Sequence, residues 1–588
     1  MPNTTSKDKT SFQLALDVFG IIRSDKKEVW LVIFYSIISV LLSLIMPIVA
    51  QAIVNAVALG VFTTQLLTLC LLVGVGTIFA GGFQVLERYI IDVMERRIFV
   101  KLSLEFAQRI PAIKASELEQ HYAPELINRF FDIVTIHKNV GKFLIDGINS
   151  LLVIFAGLIL LGIYHPFFIL FDFGLLLFIP FLVHILGWNG AKSAILTSKE
   201  KYKQAQWLEE IARCQTTFKL LPDSPYLFKR FDEISVNYIK KRAKHFIVIA
   251  RQLLGTAVFK GLAIAGVLGL GGLLVMEGQL TLGQLVAAEI MIIYMLSSID
   301  KLLGMFDGYY DMIAAMGKIN EVRDKKLEES FDHHNAIVCQ GEGMNISLKD
   351  VSYQNTMETS CNIQHLELEI HAGDKISFVG ASLSGLSAIP KIMMGFNQHE
   401  TGRIEINNVD IRRISLKELR KHIGIVLPMN ELFDGTIEDN ITLGVYYTNE
   451  EINWALKTVH LYDDVMNFKL GLATPVTSEG LNLPKGMIRK IMFARSIISK
   501  PKILILDQAF EGVAQKDKIS IINSLYSNRD WTILDITMDS DIILKSKRVI
   551  TLEKGLMVED GSPEELSKKN SLFAELFPGL VYYYSKGA

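Results

Sequence analysis

The sequence predicts a multidomain membrane protein: an all-α domain of six transmembrane helices, followed by an α/β domain built around a phosphate-loop pattern. Three observations predict it. Over 588 residues the mean hydropathy is +0.31 and only 21% of residues are charged, which is too apolar for a soluble chain of this length. From Val29 to Leu86 there is no Asp, Glu, Lys or Arg, a longer run than one bilayer crossing of about 20 residues requires. The stretch Ser377–Ala388 has the spacing G-x-x-x-x-G-K-[ST], with Gly380, Gly385 and Ser387 in register and Leu386 where the lysine belongs.

Composition narrows the function classes. A formal net charge of −2, with no strip of aromatics and arginines, argues against nucleic acid as a partner. The four cysteines, Cys70, Cys214, Cys339 and Cys361, are scattered without a C-x-x-C or a His/Cys cluster. Neither a disulfide framework nor structural zinc is expected. Met1–Thr10 is polar and lacks the short apolar core of a signal peptide.

Taken in order, Phe12–Ile22 sets apolar residues at helical spacing beside Arg23, Lys26 and Lys27, which fits a cytoplasmic or interfacial segment over residues 1–27. An ordinary soluble helix fits the same pattern. The charge-free run supplies two membrane helices that break near Gly60–Gln65. Two further crossings fit Gly147–Tyr164 and Phe167–Trp188, turning at His165-Pro166, and two more fit Gly261–Met276 and Leu282–Ile299. The three short turns carry no Lys or Arg, whereas Arg23, Lys26, Arg88, Lys142, Lys192, Arg251 and Lys260 flank the opposite ends, which places both termini in the cytoplasm. The connections Glu87–Lys142 and Lys192–Lys260 carry mixed charge and read as helical arms that reverse at Tyr122-Ala-Pro124 and Leu221–Pro225. The transmembrane domain is read as 28–325, a linker as 326–345 and the second domain as 346–588, where short apolar strands alternate with helices. Candidate strands are Lys375–Val379, Arg403–Ile406, Ile423–Leu427, Ile503–Leu506, Thr532–Thr537 and Val549–Leu552.

Asp146, Asp172, Lys260 and Glu289 fall within or beside the spans, where an unpaired charge costs at least about 2.5–3.5 kcal/mol. Asp172, Lys260 and Glu289 are the transport-path candidates, with Glu289 the deepest. The alternatives are a structural pair of Glu289 with Lys260, and snorkelling near an interface for Asp146 and Asp172.

Several ordered motifs then coincide: Gly278–Ala287 entering the sixth helix, Ile423-Gly-Ile-Val426 with Leu432–Ile437, Ala494–Ile498 with Pro501–Asp507, and Met557–Leu566. With six membrane helices and two cytoplasmic arms, nearly the whole chain resembles one half of an ABC exporter, whose second part is an α/β P-loop NTPase-like nucleotide-binding domain. The resemblance implies a multi-pass protein of the bacterial inner (plasma) membrane, in contact with membrane lipid and with an unknown transported substrate. It also implies a homodimer, or a heterodimer with another ABC half-transporter, whose nucleotide-binding domains close head to tail around ATP and Mg²⁺.

Carried onto this sequence, the resemblance assigns Gly380, Ser382, Gly385, Leu386 and Ser387 to the phosphates and Ser387 and Asp507 to Mg²⁺. The adenine-stacking aromatic falls on Asn355, with Tyr353 two positions earlier as a substitute. Much of the required chemistry is missing. Leu386 removes a charge-assisted contact worth about 1.5–3 kcal/mol, although a nest of backbone N–H groups still attracts phosphate weakly. Gln508 stands where the family has the glutamate that polarises attacking water, and an amide cannot accept a proton. Pro428 replaces the Q-loop glutamine and removes a backbone donor. Met538 replaces the switch histidine, and Pro484 and Lys485 replace the serine and one glycine of the signature. Ser387 and Asp507 keep oxygens suited to Mg²⁺, and a hydrogen bond tying strand to loop accounts for them equally. The set predicts an exporter subunit with a catalytically degenerate nucleotide-binding domain, no catalytic residue and little or no ATP hydrolysis of its own. A non-transporting membrane scaffold or regulatory subunit is the second reading.

Overall fold

The computed structural model describes residues 10–58, 63–118, 126–220, 224–328, 343–354, 362–396, 401–429, 431–569 and 571–586. The reversal expected at Tyr122-Ala-Pro124, the first residues of that at Leu221–Pro225, most of the linker, and Asn355 lie outside the described residues. The chain divides into two compact units, one of residues 1–113 and 121–325, the other of residues 114–120 and 326–588.

In the first unit six helices are long and apolar enough to cross a membrane: Lys26–Ala58, Thr64–Ala112, Phe130–Tyr164, Phe168–Leu186, Tyr226–Met276 and Leu282–Arg323. The helix through the second crossing has 47 residues and that through the fifth has 51. At about 1.5 Å per residue they are about 70–77 Å long, more than twice the hydrocarbon thickness of about 30 Å. The charged ends therefore continue as helix beyond the apolar layer, which is why hydropathy alone marks shorter spans than the structure has. The first crossing breaks at Leu44, where Pro47 leaves the carbonyl of Ser43 without its helical N–H. The fourth contains Pro180, and a π-turn over Leu182–Leu186 follows it.

The third and sixth helices approach at glycines. A Cβ on Gly157 would lie 2.4 Å from Sδ of Met295, and one on Gly147 would lie 2.8 Å from Sδ of Met305. Small residues admit this close approach in the absence of a hydrophobic drive between lipid-facing helices. Around the contact Ile154, Leu161, Met291, Met295 and Ile299 are buried. The N-terminal helix Ser11–Arg23, started by a reciprocal cap between Thr10 and Gln13, buries Leu14, Val18 and Ile21, and its Asp17 accepts a 2.8 Å hydrogen bond from Asn320 of the sixth helix.

The second unit is built on a six-stranded sheet in the order Leu556–Gly561, Arg548–Glu553, Lys375–Gly380, Thr532–Ile536, Ile503–Asp507, Ile423–Val426. Every pairing is parallel except the outermost, between Arg548–Glu553 and Leu556–Gly561. The three central strands are buried along their whole length, as strands covered on both faces must be. An antiparallel sheet of Ile363–Ile370, Ile346–Tyr353, Thr401–Ile406 and Val409–Asp410 completes the unit. All the candidate strands are present, with ends within two residues of the expected ones.

Gly157→Val is expected to force the third and sixth helices apart and to cost about 1–3 kcal/mol. The unfolding midpoint of the full chain in detergent should fall; an unchanged midpoint would contradict the close approach.

Candidate nucleotide site

The loops after parallel strands gather at their carboxyl ends, the usual ligand edge of an open α/β sheet. Register fixes which loops meet. Asp535 lies opposite both Ser377 and Leu506, so the loops that follow Gly380, Asp507 and Thr537 leave the sheet side by side. Two backbone bonds tie them, from the Gln508 N–H to the Ile536 carbonyl at 2.9 Å and from the Thr537 N–H to the Phe378 carbonyl at 3.1 Å. The strand Ile423–Val426 pairs with Ile503–Asp507 and brings Pro428 to the same edge.

The phosphate loop keeps its backbone shape. A Cβ on Gly380 would lie 2.5 Å from the Leu552 carbonyl, and Gly385, at φ +90°, would place one 2.1 Å from the Asn362 carbonyl. Only glycine fits there. Leu383 holds φ +69° without being glycine, a conformation that costs about 1–2 kcal/mol, and its side chain is exposed. Ser382 and Ser387 are exposed, whereas the side chain of Leu386 is half-buried and packs against the apolar core under the loop. Helix Ala388–Met393 follows.

Beneath the loop the carboxyls are unusual. Asp507 is 7% exposed, and burial alone raises its pKa to about 6. Asp535 is fully buried and its pKa rises to about 8, mainly through burial, with Asp539 and Asp507 adding like charge. Its Oδ2 accepts a 3.0 Å hydrogen bond from the Tyr526 hydroxyl, and its Oδ1 has no partner among the described residues. The hydroxyl of Ser377, on the adjoining strand, meets that of Ser546, just before strand Arg548–Glu553, at 2.5 Å. Sequence patterning does not reveal this buried group, because Asp535 looks like any polar residue closing an apolar strand.

Around Pro428 the sequence reading missed a basic residue. Arg489, 5% exposed, donates from Nη1 to the Leu427 carbonyl at 2.7 Å and from Nη2 to the Pro428 carbonyl. It belongs to helix Lys485–Ile497, which Pro484 caps without a side-chain hydrogen bond, and at whose first position Lys485 is exposed. The next residue, Lys490, is also 5% exposed and bridges Asp464 at 2.8 Å and Asp517 at 2.6 Å. The signal was two basic residues inside the apolar helical run Met487–Ala494. Gln508 and Met538 are exposed at the sheet edge.

Two expectations are corrected. Tyr353 does not offer a face to a base: it is 5% exposed and packs in the apolar core, because it ends a strand whose alternate residues point inward. Lys260 pairs with Asp300, about three turns beyond Glu289 on the sixth helix, so the alternative pair with Glu289 does not form. Glu289 is half-buried in the sixth helix, and Asp172 is buried in the fourth with Oδ1 lacking a hydrogen-bond partner among the described residues. The three candidates thus sit on three different helices. No group of three His, Cys, Asp or Glu residues arranged for a metal occurs among the described residues.

Comparison with known families decides the assignment. The ABC transporter transmembrane region matches residues 29–299 and the ABC transporter domain matches residues 363–511. The chain belongs to the ABC transporter family. It is an exporter-type half-transporter, with one helical transmembrane domain followed by one nucleotide-binding domain. Similar proteins include the lactococcin transport/processing ATP-binding protein LcnC-like of Lactococcus lactis subsp. lactis (strain IL1403), 23% identical over 592 residues, covering 97% of this chain and 79% of that protein. The alpha-hemolysin translocation ATP-binding protein HlyB of Escherichia coli O157:H7 is 24% identical over 548 residues, covering 91% of this chain and 76% of that protein. Among solved structures, a bacterial Atm1-family ABC exporter with ATP bound has the same fold, with a TM-score of 0.81, 20% identity, and coverage of 94% of this chain and 98% of that one.

The half-transporter's Asp535 generates a pH prediction. Its folded pKa, about 8, lies above the ordinary carboxylate value of about 3.9, so the folded state binds the proton more tightly. The stability this gives is complete below about pH 4 and is lost as pH rises towards about 8. Asp535→Asn keeps an acceptor for Tyr526 and cannot ionise, so its unfolding midpoint should gain on the wild type as pH rises from about 4 to about 8 and hold that gain above it. A difference independent of pH would contradict the buried, protonated carboxyl.

Proposed function

We propose that this half-transporter is an exporter subunit whose nucleotide-binding domain holds ATP and Mg²⁺ weakly and does not turn ATP over. It works as a dimer, with itself or with another ABC half, and spans a bacterial plasma membrane with both termini in the cytoplasm. Its transmembrane domain is taken as 28–325 and its nucleotide-binding domain as 346–588. The observation that supports the reading best is Leu386, whose side chain packs on the core where a phosphate-binding lysine would reach outward. The neighbouring edge agrees: Gln508 supplies no base, Met538 no charge, and Pro428 no side-chain amide.

Electrostatics point the same way. Burial raises the Asp507 carboxyl to about 6, so it is mostly ionised near neutral pH, and no salt bridge to it occurs among the described residues. A polyanionic nucleotide then meets a carboxylate without the lysine that would balance it. Ser387 and Asp507 are the residues that would hold Mg²⁺, which would supply the missing positive charge. The helices of 47 and 51 residues run well past the apolar layer, as arms that couple to a membrane path would. The relatives' names, for lactococcin transport and alpha-hemolysin translocation, favour a cargo of that kind. A second reading, a scaffold or regulatory subunit that moves nothing, draws on Pro484, which alters the signature this chain would present to a partner as Leu386 alters its own phosphate loop.

In nanodiscs with its partner, the complex should hydrolyse ATP slowly, and Asp507→Asn should leave that rate within about twofold; brisk turnover abolished by the substitution would overturn the proposal. Leu386→Lys should strengthen Mg-ATP binding by about tenfold or more without creating turnover, as a restored charge-assisted contact requires.

A further inference from the structure

The membrane unit contains a cavity of ≈ 360 Å³ walled by four helices. Its lining is divided. Val40, Leu44, Ile145, Val153 and Met291 make an apolar wall, and Ser39, Ser43, Asn149, Ser297 and Ser298 supply polar groups. Glu87, 2% exposed, also lines it, and its Oε1 accepts a 2.7 Å hydrogen bond from Nδ2 of Asn149. Arg88 and Lys301 line the same cavity with exposed side chains. Neither is in an ion pair with Glu87 or with another described carboxylate. In the sequence Arg88 counts only as a basic residue flanking a span and Glu87 only as the start of an arm, and Lys301 falls two positions beyond the span Leu282–Ile299.

A cavity of this size, with an apolar wall facing convergent polar groups, is of the kind that takes small ligands. A carboxylate buried in a membrane bundle without a cationic partner is costly, and such residues mark sites. Here separated charges of opposite sign face one space, and the two cations outnumber the one anion. A ligand complementary to them has an ammonium for Glu87 and an anionic group for Arg88 and Lys301, with apolar carbon against the opposite wall. A basic guanidinium and ammonium on helices near the membrane surface suit phosphate better than carboxylate.

We propose that this cavity is a binding site for an ethanolamine phosphate zwitterion, the phosphate held by Arg88 and Lys301 and the ammonium by Glu87. The ligand is either the free headgroup compound or the head of a phospholipid. The site is independent of nucleotide, so its presence or absence leaves the proposed loss of ATP turnover untouched.

The test uses the purified full-length chain without nucleotide. Glycerophosphoethanolamine binding is measured by calorimetry, and retention of phosphatidylethanolamine against phosphatidylglycerol by native mass spectrometry after extraction from mixed vesicles. The wild type should bind the ethanolamine compound or retain the ethanolamine lipid. Binding of the soluble compound identifies the free source, and retention of the lipid alone identifies the headgroup source. Glu87→Gln keeps an acceptor for Asn149 and removes the charge; it should weaken binding at least tenfold with an unchanged unfolding midpoint, as should Lys301→Met. Failure to bind the soluble compound together with equal retention of both lipids, binding unaffected by both substitutions, or binding of a zwitterionic peptide in place of the ethanolamine compounds would each overturn the proposal.

Discussion

The register of the parallel sheet is the constraint on which the nucleotide-binding half depends. Placing Asp535 level with Ser377 and Leu506 fixes where three loops leave the sheet, and their backbone bonds to Ile536 and Phe378 hold those loops together. Those bonds are made by main-chain groups and are indifferent to the side chains at the edge. The edge can therefore lose its chemistry while keeping its form. Gly380 and Gly385 persist because a Cβ at either would strike a carbonyl, a requirement of the fold itself. Leu386 is accommodated because the core beneath it takes an apolar side chain.

Arg489 and Lys490 extend this argument from the sheet to the helix that follows Pro484. Their buried positive charges are satisfied by protein groups, two carbonyls for Arg489 and two carboxylates for Lys490. Removing one member of such a group strands a buried charge, so these contacts fix the helix against the loop after Ile423–Val426. The loop that carries Pro428 is thus held by the chain's own arginine.

Much of the architecture was legible in the sequence. Charge-free runs located the crossings, and continuous apolar runs bounded by turns located the central strands, because burial on both faces leaves no other composition. The ends of the membrane helices were not legible: hydropathy reports where lipid stops, whereas Tyr226–Met276 continues as helix far past it. At the site, motif spacing assigned Leu386, Gln508, Pro428 and Met538 to family positions, and it is the sheet register that brings the loops carrying them to one edge. Tyr353 failed because spacing says nothing of which face a strand residue presents. The pair Lys260–Asp300 and the cavity around Glu87 failed for a related reason, as contacts between helices distant in sequence leave no local pattern.

The central claim is that the phosphate loop is held by the fold rather than by nucleotide. Amide hydrogen exchange over residues 376–390 of the full-length chain, with and without Mg-ATP at about 1 mM, tests it most directly. The account predicts slow exchange that nucleotide leaves essentially unchanged, and added protection only in Leu386→Lys. Strong ATP-dependent protection of Gly380–Ala388 in the wild type would contradict it.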